Sequence, residues 1–287
     1  MFGNAFQIAK VRGIPIRMHL TLLIALPYFA YTFAEIFSAR PLTWGLLAAV
    51  SLFTSVALHE LGHSFVAIAK GFPVRDITLW PIGGIASLAR IPERPRDEFA
   101  VAIAGPLVSL TLAGALYGLG ASGMFPVNSD AESFCDALSM INLSLFVFNL
   151  LPAFPMDGGR ILRAALAARK GRLAATRIAA RCGKICALLF AIVGIWGLPG
   201  LVPPSLMLVV IAIFIFFSAG SEYRQVLMQE MRHQPPPVFQ WMWTHMRRPT
   251  PPPPAPPPQA ERDVIVSPPP WERTRPTRAE LKPDDEP

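Results

Sequence analysis

The chain has 287 residues, of which 52% are hydrophobic and 16% are charged, and its mean hydropathy is +0.41. This composition excludes an ordinary water-soluble domain and is typical of a protein that crosses a membrane several times. The formal charge of +7 does not call for a nucleic-acid partner, because membrane topology and anionic lipid account for the basic residues.

Long apolar runs follow one another along the chain and predict about six transmembrane helices. They cover residues 20–38, 44–69, 99–120, 134–151, 176–197 and 203–220. The first run has some features of a signal peptide, since Arg17 precedes it and Ser38-Ala39 follows it. It is long for such a segment and a second run follows closely, so an uncleaved anchor is favoured.

Basic residues concentrate in alternate connections between these runs, which indicates an orientation. They lie before the first run, between the second and third, and between the fourth and fifth. The opposite connections, near residues 38–44, 121–133 and 198–204, contain only Arg40. By the positive-inside rule, we expect both termini on the cytoplasmic side of the cell (inner) membrane.

The second apolar run contains the segment His59-Glu60-Leu61-Gly62-His63. On a helix, His59 and His63 share a face, so their imidazoles can converge on one cation, and Glu60 can reach a water molecule bound there. Alternatively, the motif occurs by chance, and the two histidines only hydrogen-bond to neighbouring helices. The apolar setting favours a metal site, because a glutamate at membrane depth needs a metal, a partner or a proton.

A catalytic zinc site usually has three protein ligands and one open position, so a third ligand is expected at similar depth. Residues 149–160 qualify, because Pro152, Pro155 and the pair Gly158-Gly159 interrupt a predicted span next to Asp157. Alternatively, Asp157 only caps the end of a helix. Its occurrence together with the histidine motif favours a ligand.

These two segments together resemble the site-2 protease family of intramembrane zinc metalloproteases. Three further segments resemble the prokaryotic branch of that family, namely residues 13–19, 81–86 and 104–106. The resemblance covers roughly residues 10–220, and the two main motifs occur in the family's order. Many relatives carry a PDZ insertion or CBS domains, which we do not find here, so regulation by those modules is not expected.

The resemblance implies one zinc ion per chain, with His59, His63 and Asp157 as its ligands. It further implies that Glu60 is the catalytic carboxylate and that Asn149 holds the substrate or the oxyanion. The implied reaction is hydrolysis of peptide bonds within or near the transmembrane segment of a membrane-anchored, single-pass substrate in the lipid bilayer. A non-proteolytic zinc carrier or scaffold is the alternative, although few intramembrane acidic residues are expected besides Glu60 and Asp157.

Residues 77–88 predict a small membrane-associated β-hairpin between the second and third helices of an otherwise all-α polytopic fold. An unwound substrate needs partners for its backbone, and a free strand edge can supply them. We therefore regard Gly83, Gly84 and Ile85 as candidate substrate-binding residues. A simple connecting hairpin is the alternative interpretation.

The chain divides by composition into three parts. Residues 1–220 form the predicted protease domain, residues 221–248 an interfacial juxtamembrane segment, and residues 249–287 a proline-rich tail. The tail is expected to be disordered or extended polyproline II, because it contains too few apolar residues to bury a core. It is either a spacer or a docking segment for a proline-recognising partner.

Overall fold

The computed structural model describes residues 5–81, 83–88, 92, 94–200 and 203–233. The helices are α1 (Leu20–Ala34), α2 (Pro41–Ala69), α3 (Pro95–Gly120), α4 (Asp130–Asn149), α5 (Asp157–Lys170), α6 (Arg172–Trp196) and α7 (Leu206–His233). The strands are β1 (Ala5–Val11), β2 (Ile14–His19), β3 (Val74–Trp80) and β4 (Gly83–Leu88). The described part of the chain is therefore mostly helical, with one small sheet.

Five of the helices are long and apolar enough to cross a membrane: α2, α3, α4, α6 and α7. Each of them coincides with one of the predicted apolar runs. The first predicted run corresponds to α1, which has 15 residues and rises about 22 Å. That is shorter than a hydrocarbon core of about 30 Å. The predicted count of about six spans therefore requires α1 to cross the membrane together with the five longer helices.

Helix α5 was not predicted, and it lies where the sequence indicated a basic connection. Asp157 is its first residue, Arg169 and Lys170 lie in its last turn, and Gly171 ends it at φ +77°. These charges complement the helix dipole at both ends. The helix is too polar to register as an apolar run, which is why the hydropathy pattern did not show it.

The sheet has the strand order β1-β2-β3-β4. The β3–β4 pair is antiparallel and places Trp80 opposite Gly83, as expected of a hairpin in this stretch; Ile82 lies outside the described residues. The structure adds two N-terminal strands that were not predicted. Strand β2 pairs with β3 in parallel, with Ile16 opposite Ile77, and β1 pairs antiparallel with β2, so β4 is an edge strand.

A shared apolar core holds the sheet against α2. Its buried members are Ile14, Ile16, Leu22, Phe53, Val56, Ala57, Leu61, Ile77 and Leu79. Because Val56 and Ala57 come just before the histidine motif and Leu61 lies within it, this core places the sheet beside the motif.

Helix α7 runs from Leu206 through the predicted domain boundary at residue 220 to His233. The remaining predicted juxtamembrane segment (residues 234–248) and the proline-rich tail (residues 249–287) lie outside the described residues.

Candidate metal centre

Three predicted ligands meet in the interior of the helical region. His59 and His63 are 5% exposed, and Asp157 is 7% exposed. Asp157 Oδ2 lies 3.2 Å from His59 Nε2 and 3.0 Å from His63 Nε2, and the two imidazole nitrogens are 3.2 Å apart. Among the described residues, this group of three could hold one metal ion.

A tightly packed loop brings Asp157 to the histidines from 94 to 98 residues away in sequence. Helix α4 ends at Asn149, and the loop folds back on itself through a bond from Ala153 N to Leu151 O of 2.7 Å. A Cβ atom at Gly158 would collide with the carbonyl oxygens of Leu150 and Leu151. A Cβ atom at Gly159 would lie 2.7 Å from the carbonyl carbon of Ala153. The glycine pair is therefore required for the first turn of α5 to pack against the loop.

Helix α3 orients both imidazoles through one of its faces. The Val101 carbonyl accepts a hydrogen bond of 2.7 Å from His63 Nδ1, and Ser109 Oγ lies 2.9 Å from His59 Nδ1. Gly105 lies between them, and a Cβ atom there would be 2.7 Å from His59 Nε2 and would collide with His63 Nε2. Residues 104–106 were predicted only as a segment that resembles the family, and Val101 and Ser109 were not predicted. Their only sequence signal is the four-residue spacing of Val101, Gly105 and Ser109, which places the three positions on one helix face.

The chemistry of this donor set fits a zinc ion. A carbonyl oxygen can only accept, so the Nδ1 atom of neutral His63 carries hydrogen and its Nε2 atom presents a lone pair. His59 has the same tautomer when its Nδ1 atom donates to Ser109 Oγ. Two lone pairs and a carboxylate oxygen then face one point, where they repel one another unless a cation lies between them. Ligand atoms about 2.0–2.1 Å from a tetrahedral zinc are about 3.3 Å apart, close to the distances observed here.

Glu60 follows His59 on α2 and is half-buried. It lies within electrostatic range of His59, His63 and Asp157. Strand β4 packs against its side chain, because a Cβ atom at Gly84 would be 2.6 Å from Glu60 Cγ. The Glu60 side chain therefore contacts the edge strand and lies near the ligand group.

The remaining predicted site residues occupy two places. Asn149 ends α4 at the start of the loop that leads to Asp157, and its Nδ2 atom donates to Leu145 O at 2.9 Å. Gly83 begins β4 with φ +143°, and Ile85 in the same strand is 57% exposed. The structure thus brings Gly84 to Glu60, while the Asn149 amide is bonded within its own helix.

Comparison with known proteins identifies the family. The model of peptidase family M50 matches residues 47–126 and 121–193, which together exceed half of the chain. A zinc metalloprotease of Methanocaldococcus jannaschii is 38% identical over 222 residues, covering 77% of this chain and 61% of the relative. A putative zinc metalloprotease of Synechocystis is 35% identical, covering 79% and 62% respectively. The chain therefore spans about three fifths of the length of these relatives.

Two further matches cover more of the protein compared. Stage IV sporulation protein FB of Bacillus subtilis is 30% identical over 210 residues, which are 72% of this chain and 70% of that protein. The solved structure of a site-2 protease from Methanocaldococcus jannaschii superposes with a TM-score of 0.55 at 36% identity. It covers 76% of this chain and 95% of that chain. The ligand group, the family model and these relatives agree with the resemblance seen in the sequence: the chain belongs to peptidase family M50, the site-2 protease family.

Proposed function

We propose that this chain is an intramembrane zinc metalloprotease that cleaves single-pass, membrane-anchored proteins within or near their transmembrane segments. The observation that carries the proposal is the buried convergence of His59, His63 and Asp157 beside the carboxylate of Glu60. The ligand-bearing helix α2 is long and apolar enough to cross a membrane. Relatives that are named zinc metalloproteases support the same reaction class.

His59, His63 and Asp157 would hold the zinc ion, with Ser109 and Val101 keeping the imidazoles in the required orientation. Bound there, zinc supplies Lewis-acid chemistry, which polarises a carbonyl group and lowers the pKa of water to about 7. With zinc bound, two neutral imidazoles and one carboxylate leave the site with a net positive charge, which favours this chemistry.

Glu60 is the proposed general base and acid. It would accept a proton from the attacking water and deliver that proton to the leaving amine. Its contact with β4 and its proximity to the ligand group suit both transfers, because the scissile bond of a substrate held on β4 would pass beside it. Positioned proton transfer of this kind contributes typically 10²–10⁴-fold to a rate.

Asn149 is the proposed partner of the substrate carbonyl oxygen as negative charge develops on it. One Nδ2 hydrogen is bonded to the Leu145 carbonyl, which fixes the direction of the amide. The amide carries a second Nδ2 hydrogen, and that hydrogen is the one proposed to bind the substrate.

The edge of β4 is the proposed substrate-binding surface, at Gly83, Gly84 and Ile85. A substrate helix must unwind before its peptide bonds are accessible, and an extended segment in lipid needs hydrogen-bond partners. Strand addition to β4 would supply them, because among the described residues β4 has a paired neighbour on one side only. The absence of a side chain at Gly84 brings this strand close to Glu60.

The site is proposed to lie in the cytoplasmic half of the inner membrane, with both chain termini in the cytoplasm. His59 and Lys70 are eleven residues apart, or about 16 Å along a helix. The basic residues after α2 indicate that this end of the helix faces the cytoplasm. Cleavage at this depth would release a cytoplasmic fragment.

The variant Glu60→Gln tests the function, since it removes the base and keeps all three ligands. We expect stoichiometric zinc in both purified proteins and a loss of cleavage in the variant. The measurement is zinc content together with a quantitative comparison of membrane proteomes from cells expressing either form. Single-pass proteins should accumulate uncut only with the variant, and the exposed substitution Glu35→Gln should behave as wild type.

A zinc carrier or scaffold would give a different result in the same comparison. It would retain zinc in both forms, and the two membrane proteomes would be identical. That outcome would reject the proteolytic function.

A further inference from the structure

Arg163 on α5 is a buried cation outside the metal centre and is only 3% exposed. Its Nε atom donates to Glu98 Oε1 at 2.7 Å, and its Nη2 atom contacts the same oxygen. Its Nη1 atom donates to Glu222 Oε2 at 3.4 Å. One guanidinium therefore links α5 to α3, through Glu98, and to α7, through Glu222.

Stability alone does not account for this charge network. Glu98 is 5% exposed, and the Glu222 side chain is 27% exposed, so at least two of the three charges are removed from water. Burying charges is costly, and replacing a buried ion pair by well-packed apolar side chains is often neutral or stabilising. The network instead fixes the relative orientation of the three side chains, because the planar guanidinium donates hydrogen bonds along fixed directions.

The face of the guanidinium contacts the loop that carries Asp157. Arg163 Cζ lies 4.9 Å from the ring centroid of Phe154, a residue that is completely buried. Phe154 also packs against Ala179 and Ala180 of α6 and Ala219 of α7. Its ring is therefore held between the cation and two helices.

The backbone between Phe154 and Asp157 has little room to adjust. Gly183 of α6 lies against Phe154, where a Cβ atom would be 3.3 Å from its backbone nitrogen and oxygen. A Cβ atom at Gly159 would lie 2.8 Å from the same nitrogen. A shift of the Phe154 ring would consequently move the start of α5, and Asp157 with it.

We propose that Arg163, held by Glu98 and Glu222, is a positioning residue that sets the location of Asp157 in the metal centre. This inference rests on the proposed function, in which Asp157 is a zinc ligand. It assigns a role to the cytoplasmic end of α7: through Glu222, the position of that helix affects how tightly the metal is held.

The test uses the full chain in detergent and the single variants Glu98→Gln and Glu222→Gln. Zinc affinity is measured by competition with a chelator, with no substrate present. Groups that orient metal ligands change affinity by 10–100-fold, and Arg163 acts one contact further away, so we expect about a 10-fold loss. The visible absorption spectrum of the cobalt-substituted protein should change as well, because it reports ligand geometry.

Asp97→Asn is the matched control. Asp97 precedes Glu98 on α3 and forms an ion pair of 3.3 Å with Lys70, so the substitution makes the same change of charge one residue away. Zinc affinity and the cobalt spectrum of this variant should be those of the wild type. A general effect of lost acidic charge would instead lower all three affinities alike and would overturn the inference.

A double variant separates positioning from unrelated damage. If Glu222 acts only through Arg163, Glu222→Gln should have no further effect on zinc affinity in an Arg163→Gln background. Wild-type affinity and an unchanged cobalt spectrum in Glu98→Gln and Glu222→Gln would overturn the inference; if one of them does not fold, the other decides. A wild-type chain that binds zinc but cleaves no membrane protein would refute the proposed function alone, because these affinities are measured without a substrate.

Discussion

Gly105 shows how a single hydrogen atom in place of a side chain makes room for a metal centre. Any Cβ atom at this position would reach both imidazole nitrogens that face the shared point. We therefore expect Gly105→Ala to lose bound zinc and activity, although alanine is the better helix former. Zinc content per purified chain measures this.

Gly114→Ala on the same helix is the control for that prediction, because a Cβ atom there meets no neighbour within 4 Å. It should retain zinc and activity. Full zinc occupancy in Gly105→Ala would show that the imidazoles do not converge as described.

At the scale of residues, the sequence indicated the candidate metal ligands but not the groups that hydrogen-bond to them. The spacing of His59 and His63 and the position of Asp157 after a broken apolar run were sufficient to predict a metal site. Ser109 and Val101 could not be assigned, because a serine and a carbonyl on an apolar helix have no signature until the helix they face is known.

At the scale of elements, the proposed position of a substrate depends on the contact between β4 and α2. A Cβ atom at Gly84 would be 2.6 Å from Glu60 Cγ and 3.2 Å from Val56 Cγ1. We expect Gly84→Ala to displace the carboxylate and lower kcat on the order of 10²-fold, the cost of misplacing a reacting group. Zinc affinity should be unchanged, since Glu60 is not one of the three ligands.

The measurement is a cleavage rate together with a zinc titration of the same protein. Gly118→Ala, where a Cβ atom meets open space, should match the wild type in both. Unchanged cleavage by Gly84→Ala would show that β4 does not take part in the reaction.

Some pairings and elements could be predicted from local sequence patterns, and others could not. The β3–β4 pair was predicted because both strands and their turn are contiguous in sequence. The pairing of β2 with β3 joins residues about 60 positions apart, as in Ile16 with Ile77, and no local pattern reports such a contact. Helix α5 was missed for a different reason, because its four basic residues resemble those of a loop.

For the whole molecule, the alternation of basic connections makes a prediction about topology. A cysteine at Ser122, in the connection between α3 and α4, should react with a membrane-impermeant maleimide in intact cells. One at Arg75, after α2, should react only when the membrane is opened. The native Cys135, Cys182 and Cys186 would first be replaced by serine, and the reverse labelling pattern would contradict cytoplasmic termini.

The amino-acid sequence by itself determined the membrane class through its hydropathy and the family through short motifs, and it predicted the three metal ligands, because hydropathy, motifs and helical spacing are local properties of a chain. Only the tertiary structure decided what surrounds those ligands: the α3 face that orients the imidazoles, the edge strand beside Glu60, and the Arg163 network behind the Asp157 loop. These depend on contacts between residues far apart in sequence: Gly84 and Glu60 are 24 positions apart, His63 and Val101 are 38 apart, and Arg163 and Glu98 are 65 apart. Packing of whole helices and strands creates such contacts, and no short segment encodes them.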